Sequence, residues 1–207
     1  MSHWPLALAD YRRRVSENYA LVRARGAGSE PWNSWRETRD ALLGSHPQSP
    51  LPETDRTGTW STPFFPYDPA WRVSGSLQPT SGGAYIDIPH SSDGLSTRFS
   101  EVGTVSFSQA GRSHALTLFW LDAYGGGLFL PFRDSTAGST TYGGGRYLLD
   151  TVKGADLGST PNGDLILDFN YAYHPSCAWD GAWSCPLSPP ANHLDVRVEA
   201  GEQLPRQ

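Results

Sequence analysis

Between Asp168 and Leu194 the chain reads DFNYAYHPSCAWDGAWSCPLSPPANHL, a stretch that holds both of its cysteines and two of its six histidines. His174, Cys177, Cys185 and His193 set four nitrogen and sulfur donors within twenty residues, the donor types of a tetrahedral zinc site. Zinc knuckles pair their ligands more tightly than one His-x2-Cys followed by two seven-residue gaps. The expectation is therefore no metal and no other cofactor, with those four residues as the alternative set. A Cys177–Cys185 disulfide would close a short loop, whereas two reduced, partly buried thiols suit a cytoplasmic chain and are the expected state. Nucleophilic catalysis needs a Cys or Ser beside an oriented His. Pro175 stands between His174 and Cys177 and leaves their relative direction open, and the sequence has no Gly-x-Ser-x-Gly elbow.

A second stretch, LFLPFRDSTAGSTTYGGGRYL (128–148), reads as strand, polar loop, glycine kink and strand. Its three glycines lack the Lys-Ser/Thr and helix of a phosphate-binding loop, so they are expected to let the backbone bend or approach a neighbour closely. Arg146 follows them and can pair with Asp134 or Asp168, either as an internal ion pair or as a clamp for a substrate carboxylate. In DLILDFNYAYH (164–174) strand alternation puts Leu165, Leu167, Phe169, Tyr171 and Tyr173 on one face. Asp164, Ile166, Asp168, Asn170, Ala172 and His174 take the other. That polar face either meets solvent or, in a sheet closed on itself, lines a pocket. Acid–base chemistry from Asp134, Asp168 or His174 is open wherever burial shifts a pKa.

Positioning such residues falls to a β-rich scaffold. Leu8, Tyr11, Val15, Tyr19 and Val22 recur at helical spacing until Gly26 and Gly28, and a second helix is expected over 31–44, with Trp32, Trp35, Arg39, Leu42 and Leu43. After the proline-rich SHPQSPLPETD the period changes to two. Strands are expected at 71–77, 84–88, 103–107, 114–121, 127–132, 145–149 and 164–173. The expected fold is mainly β (α+β), an antiparallel meander forming a curled sheet, barrel or sandwich with two N-terminal helices. Residues 1–50 are a helical segment packing on a β domain of 51–207. Eight tryptophans and 22 glycines agree with large-ring packing and many turns. A net charge of −5 and no basic stripe argue against nucleic acid, and Arg12, Arg13, Arg14, Arg23 and Arg25 read as the wet face of a helix. No apolar run reaches membrane-span length, and Asp10 interrupts the short apolar stretch of MSHWPLALAD that would otherwise suggest a leader.

Taken in order, SPLP after a Trp-Arg-containing helix, LFLPFRDSTAGSTTYGGGRYL, LDFNYAYHPSCAW, CPLSPPANHL and AGE resemble the domain-of-unknown-function family 1684 from about residue 32 to 202. The resemblance carries the family pattern onto Phe132, Asp134, Thr136, Thr141, Tyr142, Gly145, Arg146, Tyr147 and Leu148. It continues onto Asp168, Phe169, Asn170, Ala172, Tyr173, Pro175, Cys177, Cys185, Pro186, Pro190, Asn192, Leu194, Gly201 and Glu202. His174 departs from it, standing where the family has Asn, and His193 stands at a variable position, so a four-ligand zinc site would be peculiar to this chain. The resemblance implies no reaction. The polar motif residues suit a pocket that binds a small organic molecule, with Asp168, His174 and Arg146 as acid–base and anion-binding groups. Asp134, Tyr142, Asn170, Tyr173 and Asn192 would contact the substrate. They suit equally a buried network that only stabilises a structural or interaction module.

Overall fold

The computed structural model describes residues 4–92 and 94–205, so Met1–His3, the start of the stretch read for a leader, lie outside it. Two helices come first, α1 (Trp4–Arg25) and α2 (Ser29–Ser45). Eight strands follow: β1 (Arg72–Pro79), β2 (Tyr85–Pro89), β3 (Ser96–Gln109), β4 (Arg112–Leu121), β5 (Leu128–Asp134), β6 (Arg146–Asp150), β7 (Leu165–Asp168) and β8 (His193–Leu194). No helix among the described residues is long and apolar enough to cross a membrane.

The sheet runs β6-β5-β4-β3-β1-β7, with β2 beside β3 and β8 beside β5. β3 through β6 form the expected antiparallel meander. The two-residue β8 departs from it by pairing parallel to β5. β3 is long enough to serve two partners on one edge, β2 along Ser96–Ser100 and β1 along Gly103–Ser106. The register against β4 shifts between Glu101 and Gly103, where the partner changes. A side chain at Gly103 would collide with the Gln78 carbonyl oxygen, so only glycine fits this bulge. The sheet curls until its ends meet. Tyr147 of β6 and Tyr173, beyond β7, exchange both backbone hydrogen bonds at 2.8 and 3.1 Å, giving a nearly closed barrel.

β7 is shorter than its alternating pattern predicts. The strand stops at Asp168, and Phe169–Tyr171 form a 3-10 turn. The Asp168 carboxylate accepts the Asn170 backbone N–H at 3.1 Å and its side-chain amide at 2.8 Å. This local capping outcompetes the ladder and breaks the polar strand face expected through His174.

Apolar residues sort onto two faces. Val105, Phe107, Leu116, Leu118, Leu130, Phe132, Leu167 and Phe169 converge with Val198 and Ala200 on one core, which is packed rather than hollow. Phe99, Phe119, Phe129, Tyr147, Tyr171 and Tyr173 join Tyr19 and Val22 of α1 and Trp32 and Trp35 of α2 in the other. The apolar stripe read at Tyr19 and Val22 is therefore the docking face of α1 on the sheet.

Candidate functional site

Where α1 crosses this second face, contact is incomplete and leaves a cavity of about 680 Å³. Rings make its base. Phe99 stacks on Phe129 at 5.1 Å, Phe129 meets Tyr147 edge-on at 4.7 Å, and Tyr147 meets Tyr173 at 5.7 Å. Leu8, Val15 and Tyr19 of α1 form one wall, and the 173–186 loop forms another through His174, Trp183 and Cys185.

Polar groups gather at two places on this wall. At the first, Asp150 ends β6 and caps the 3-10 turn Thr151–Lys153 through the Lys153 N–H. Its Oδ2 receives the Tyr173 hydroxyl at 3.3 Å and lies 3.2 Å from Lys153 Nζ. Desolvation pulls the Lys153 pKa down, but the Asp150 carboxylate together with Cys185 and Tyr11 leaves it above its ordinary value. Burial and Asp150 raise the Tyr173 pKa well above 10.0, so this hydroxyl remains a donor.

At the second, Arg39 of α2 donates Nε to the wholly buried Glu202 carboxylate, which also accepts the His174 backbone N–H at 2.6 Å. The Arg39 guanidinium lies 5.0 Å from the Tyr173 ring centroid. His174 Nε2 accepts the Tyr142 backbone N–H at 3.1 Å, which assigns the imidazole proton to Nδ1. Burial first, then the charges of Arg146 and Arg39, holds the His174 pKa well below 6.5. The ring is therefore a neutral donor. Its Nδ1 is sealed from solvent 3.7 Å from Glu202 Oε2, and the Tyr19 hydroxyl, whose own pKa burial raises, is sealed without a hydrogen-bond partner.

Of the eight catalytic and substrate-binding candidates, Tyr173 and His174 line this cavity and the other six do not, while of the alternative zinc ligands Cys185 lines it with His174. Arg146 is 1% exposed, pairs with Asp134 at 3.3 Å, and donates to the carbonyls of Val198, Ala200 and Glu202. Asp134 also accepts the Val198 N–H at 2.8 Å. Between the two expected partners of Arg146, the fold selects Asp134. Gly145 makes that approach feasible: its φ is +96°, and a Cβ there would lie 2.5 Å from the Phe132 carbonyl oxygen.

Asp168 pairs with Arg72 at 3.0 Å, and Asn170 clasps both backbone groups of Asp68 at 2.9 Å. Asn192 bridges Thr117 and Pro131. Tyr142 sits behind the wall, with its hydroxyl 3.6 Å from Cys177 Sγ. The alternative zinc ligands are not assembled. His193 pairs with Asp195 at 3.3 Å on β8, His174 Nε2 is occupied, and no group of three or more His, Cys, Asp or Glu side chains among the described residues is arranged to hold a metal ion.

Tyr11, Tyr19, Arg39, Asp150 and Lys153 are among the wall residues that the sequence did not mark as a site. Tyr11, Tyr19 and Arg39 were visible only as one side of each helix, and nothing local set Asp150 or Lys153 apart. Arg12, read as part of a wet helix face, stands at the cavity while remaining exposed.

The chain is similar to an uncharacterized protein of Haloarcula marismortui whose solution NMR structure was determined by the Northeast Structural Genomics Consortium. Identity is 35%, the TM-score is 0.60, and the match covers 85% of this chain and 96% of that one. The family model described as "Protein of unknown function (DUF1684)" matches residues 60–203, beginning after both helices. Asp150, Lys153, Tyr173 and His174 fall inside the matched residues, while Tyr11, Tyr19 and Arg39 fall outside them. No curated protein matches the chain.

Proposed function

The chain belongs to the family of proteins of unknown function DUF1684, and we propose that it binds a small molecule with an apolar body and a compact anionic head, such as a carboxylate. The carrying observation is that Lys153, Arg39 and Arg12 stand along a cavity whose base is apolar. Lys153 has donors beyond the one Asp150 takes, and Arg39 engages Glu202 through Nε. The anions beside these cations, Asp150 and Glu202, are already paired, and Arg12 adds a further positive charge. A ligand anion would meet these positive charges, while its body lay on the Phe99–Phe129–Tyr147 rings. The volume falls within the roughly 300–1,000 Å³ of small-molecule pockets.

Acid–base chemistry by Asp168, His174 and Arg146 draws less support from the geometry. Asp168 and Arg146 are held by their own chain away from the cavity, and His174 is neutral with one nitrogen occupied. Binding is the better reading, with Asp168 and Arg146 positioning backbone. Two unbridged cysteines support a cytoplasmic setting.

The test uses 11-(dansylamino)undecanoic acid and its methyl ester, followed by dansyl emission with excitation through tryptophan. The acid is expected to bind about tenfold or more tightly than the ester, the worth of one charge-assisted hydrogen bond. Lys153→Met should abolish most of that preference. Equal binding of acid and ester, or binding of neither, would sink the proposal.

A further inference from the structure

Thr97 of β3 and Ser184 of the facing loop also line the cavity. Both belong to one constellation centred on the half-buried His90. Thr97 Oγ1 lies 2.7 Å from His90 Nε2, and Ser184 Oγ lies 3.0 Å from His90 Nδ1. The backbone holds all three in place. Ile88 and Pro89 of β2 pair with Thr97 and Ser96 of β3, and the His90 N–H closes the turn on the Leu95 carbonyl at 2.8 Å. The Ser184 segment is stitched to the same turn. The Ser91 N–H donates to the Cys185 carbonyl at 3.0 Å, and the Leu187 N–H to the Pro89 carbonyl at 2.9 Å.

A neutral imidazole carries one donor and one acceptor, so one of these hydroxyls must give its proton to the ring and the other must receive one. The ring is neutral at neutral pH, because burial lowers the His90 pKa and both of its nitrogens face hydroxyls rather than a carboxylate. The distances assign the roles. An O–H donor sits closer to its acceptor than an N–H donor does. The 2.7 Å contact is therefore the Thr97 hydroxyl donating to Nε2, and the 3.0 Å contact is Nδ1–H donating to Ser184. Thr97 Oγ1 has no other hydrogen-bond partner among the described residues, so its lone pairs are left for the cavity. A hydroxyl whose proton rests on an imidazole that a third group orients is arranged as a nucleophile. Phe99, two residues along the same face of β3, sets the ring stack beside it. Lys153 approaches from the other side. Its Nζ lies 5.1 Å from the Tyr147 ring centroid, and the Tyr147 hydroxyl donates at 2.6 Å to the carbonyl of Pro186, two residues from Ser184.

We propose that Thr97 is the nucleophile and His90 the general base of an acyl-transfer site that hydrolyses esters of an apolar carboxylic acid. The substrate class rests on the ligand assigned to the cavity, since the acid released has that apolar body and anionic head. In the first step Thr97 Oγ1 attacks the ester carbonyl carbon and its proton passes to His90 Nε2. The C–O bond to the alcohol breaks, and the departing alkoxide takes that proton, leaving an acyl ester on Thr97. In the second step water attacks the same carbon and gives a proton to Nε2. The bond to Thr97 breaks, and Oγ1 takes the proton back as the acid leaves. One ester and one water thus give one acid and one alcohol. Ser184 keeps the Nδ1 proton in place throughout. Lys153 supplies positive charge for the carbonyl oxygen as it becomes an anion.

The test gives the full-length chain 4-nitrophenyl octanoate at neutral pH and follows release of 4-nitrophenolate. Intact mass and peptide mapping after an acid quench locate the acyl group. Wild type is expected to turn over and to carry one octanoyl group on Thr97. Thr97→Val should lose that adduct and, like His90→Gln, at least about a hundredfold in kcat/KM. Thr97→Ser should keep the adduct, which separates loss of the hydroxyl from loss of the fold. Ser184→Ala should lower kcat while KM and the melting temperature hold, as befits a residue that positions the ring. No adduct, an adduct only on other residues, or equal rates for Thr97→Val and wild type would each overturn the proposal. If the dansyl acid binds while Thr97 stays unacylated, the chemistry fails and the binding reading stands. An adduct on Thr97 without binding of the dansyl acid would support the acyl transfer and overturn the binding reading alone.

Discussion

Replacing Arg146 with methionine removes a buried charge while keeping most of its volume, and the structure allows the cost to be worked out. The guanidinium donates to Asp134 at 3.3 Å, to the Val198 carbonyl at 2.9 Å, to the Glu202 carbonyl at 3.4 Å and to the Ala200 carbonyl. Removing one partner of a buried pair costs roughly 3–5 kcal/mol, because the other charge is left without compensation. Here the Asp134 carboxylate keeps three donors, the Val198 N–H at 2.8 Å and the Thr136 N–H and hydroxyl at 3.1 and 2.8 Å. The expected cost is therefore near the lower end, about 3 kcal/mol. For a chain of this length that corresponds to a fall in melting temperature of roughly 6–12 °C.

Calorimetry or far-ultraviolet circular dichroism would measure that fall. The double variant Arg146→Met/Asp134→Asn, which removes the stranded charge, should recover at least about 1 kcal/mol. A single variant melting within about 2 °C of wild type, or a double variant less stable than the single, would refute the account. Binding measured well below the melting temperature separates this role from a ligand clamp. If Arg146 only positions the chain, the dansyl acid should lose far less affinity than with Lys153→Met.

Two further outcomes follow from the cavity wall. The His174 pKa is held below its ordinary 6.5, so below that pH the unfolded chain binds the proton first and unfolding becomes easier as pH falls. The contribution is intact above about pH 6.5. From there to pH 5, wild type should lose more stability than His174→Asn, and parallel pH profiles for the two proteins would contradict this. Tyr19→Phe removes a buried hydroxyl without a partner. The protein should gain about 1 kcal/mol, so a lower melting temperature would argue against an unmet donor at this position.

The architecture was legible because strand periodicity survives in the sequence. All seven expected strands have counterparts, β1 through β7, and both helices lie where their apolar spacing puts them. β8 was not, since two residues carry no period. The overextended β7 shows a local competitor defeating alternation: Asp168 is as good a cap as it is a strand residue. Arg146 with Asp134 was one of two open pairings. Choosing between them needed the backbone path that brings Val198, Ala200 and Glu202 to the same guanidinium, more than fifty residues away in sequence.

The cavity was the least legible feature because no segment contains it. Its walls come from α1, α2, the ends of several strands and the 173–186 loop, and only docking of the helices brings Tyr19 and Arg39 near Tyr173 and His174. The polar motif residues stand one step behind that wall. Arg146 and Asp134 fix the backbone of 198–202, and that backbone delivers the buried Glu202 carboxylate. Glu202 then holds Arg39 from one side and the His174 N–H from the other. His174 is fixed again through Nε2 by Tyr142, whose hydroxyl reaches Cys177. The chain of contacts runs from a core ion pair to the His174 ring at the cavity wall. A substitution at Arg146 should therefore cost stability first and ligand affinity only through this wall, whereas Lys153→Met should cost affinity alone.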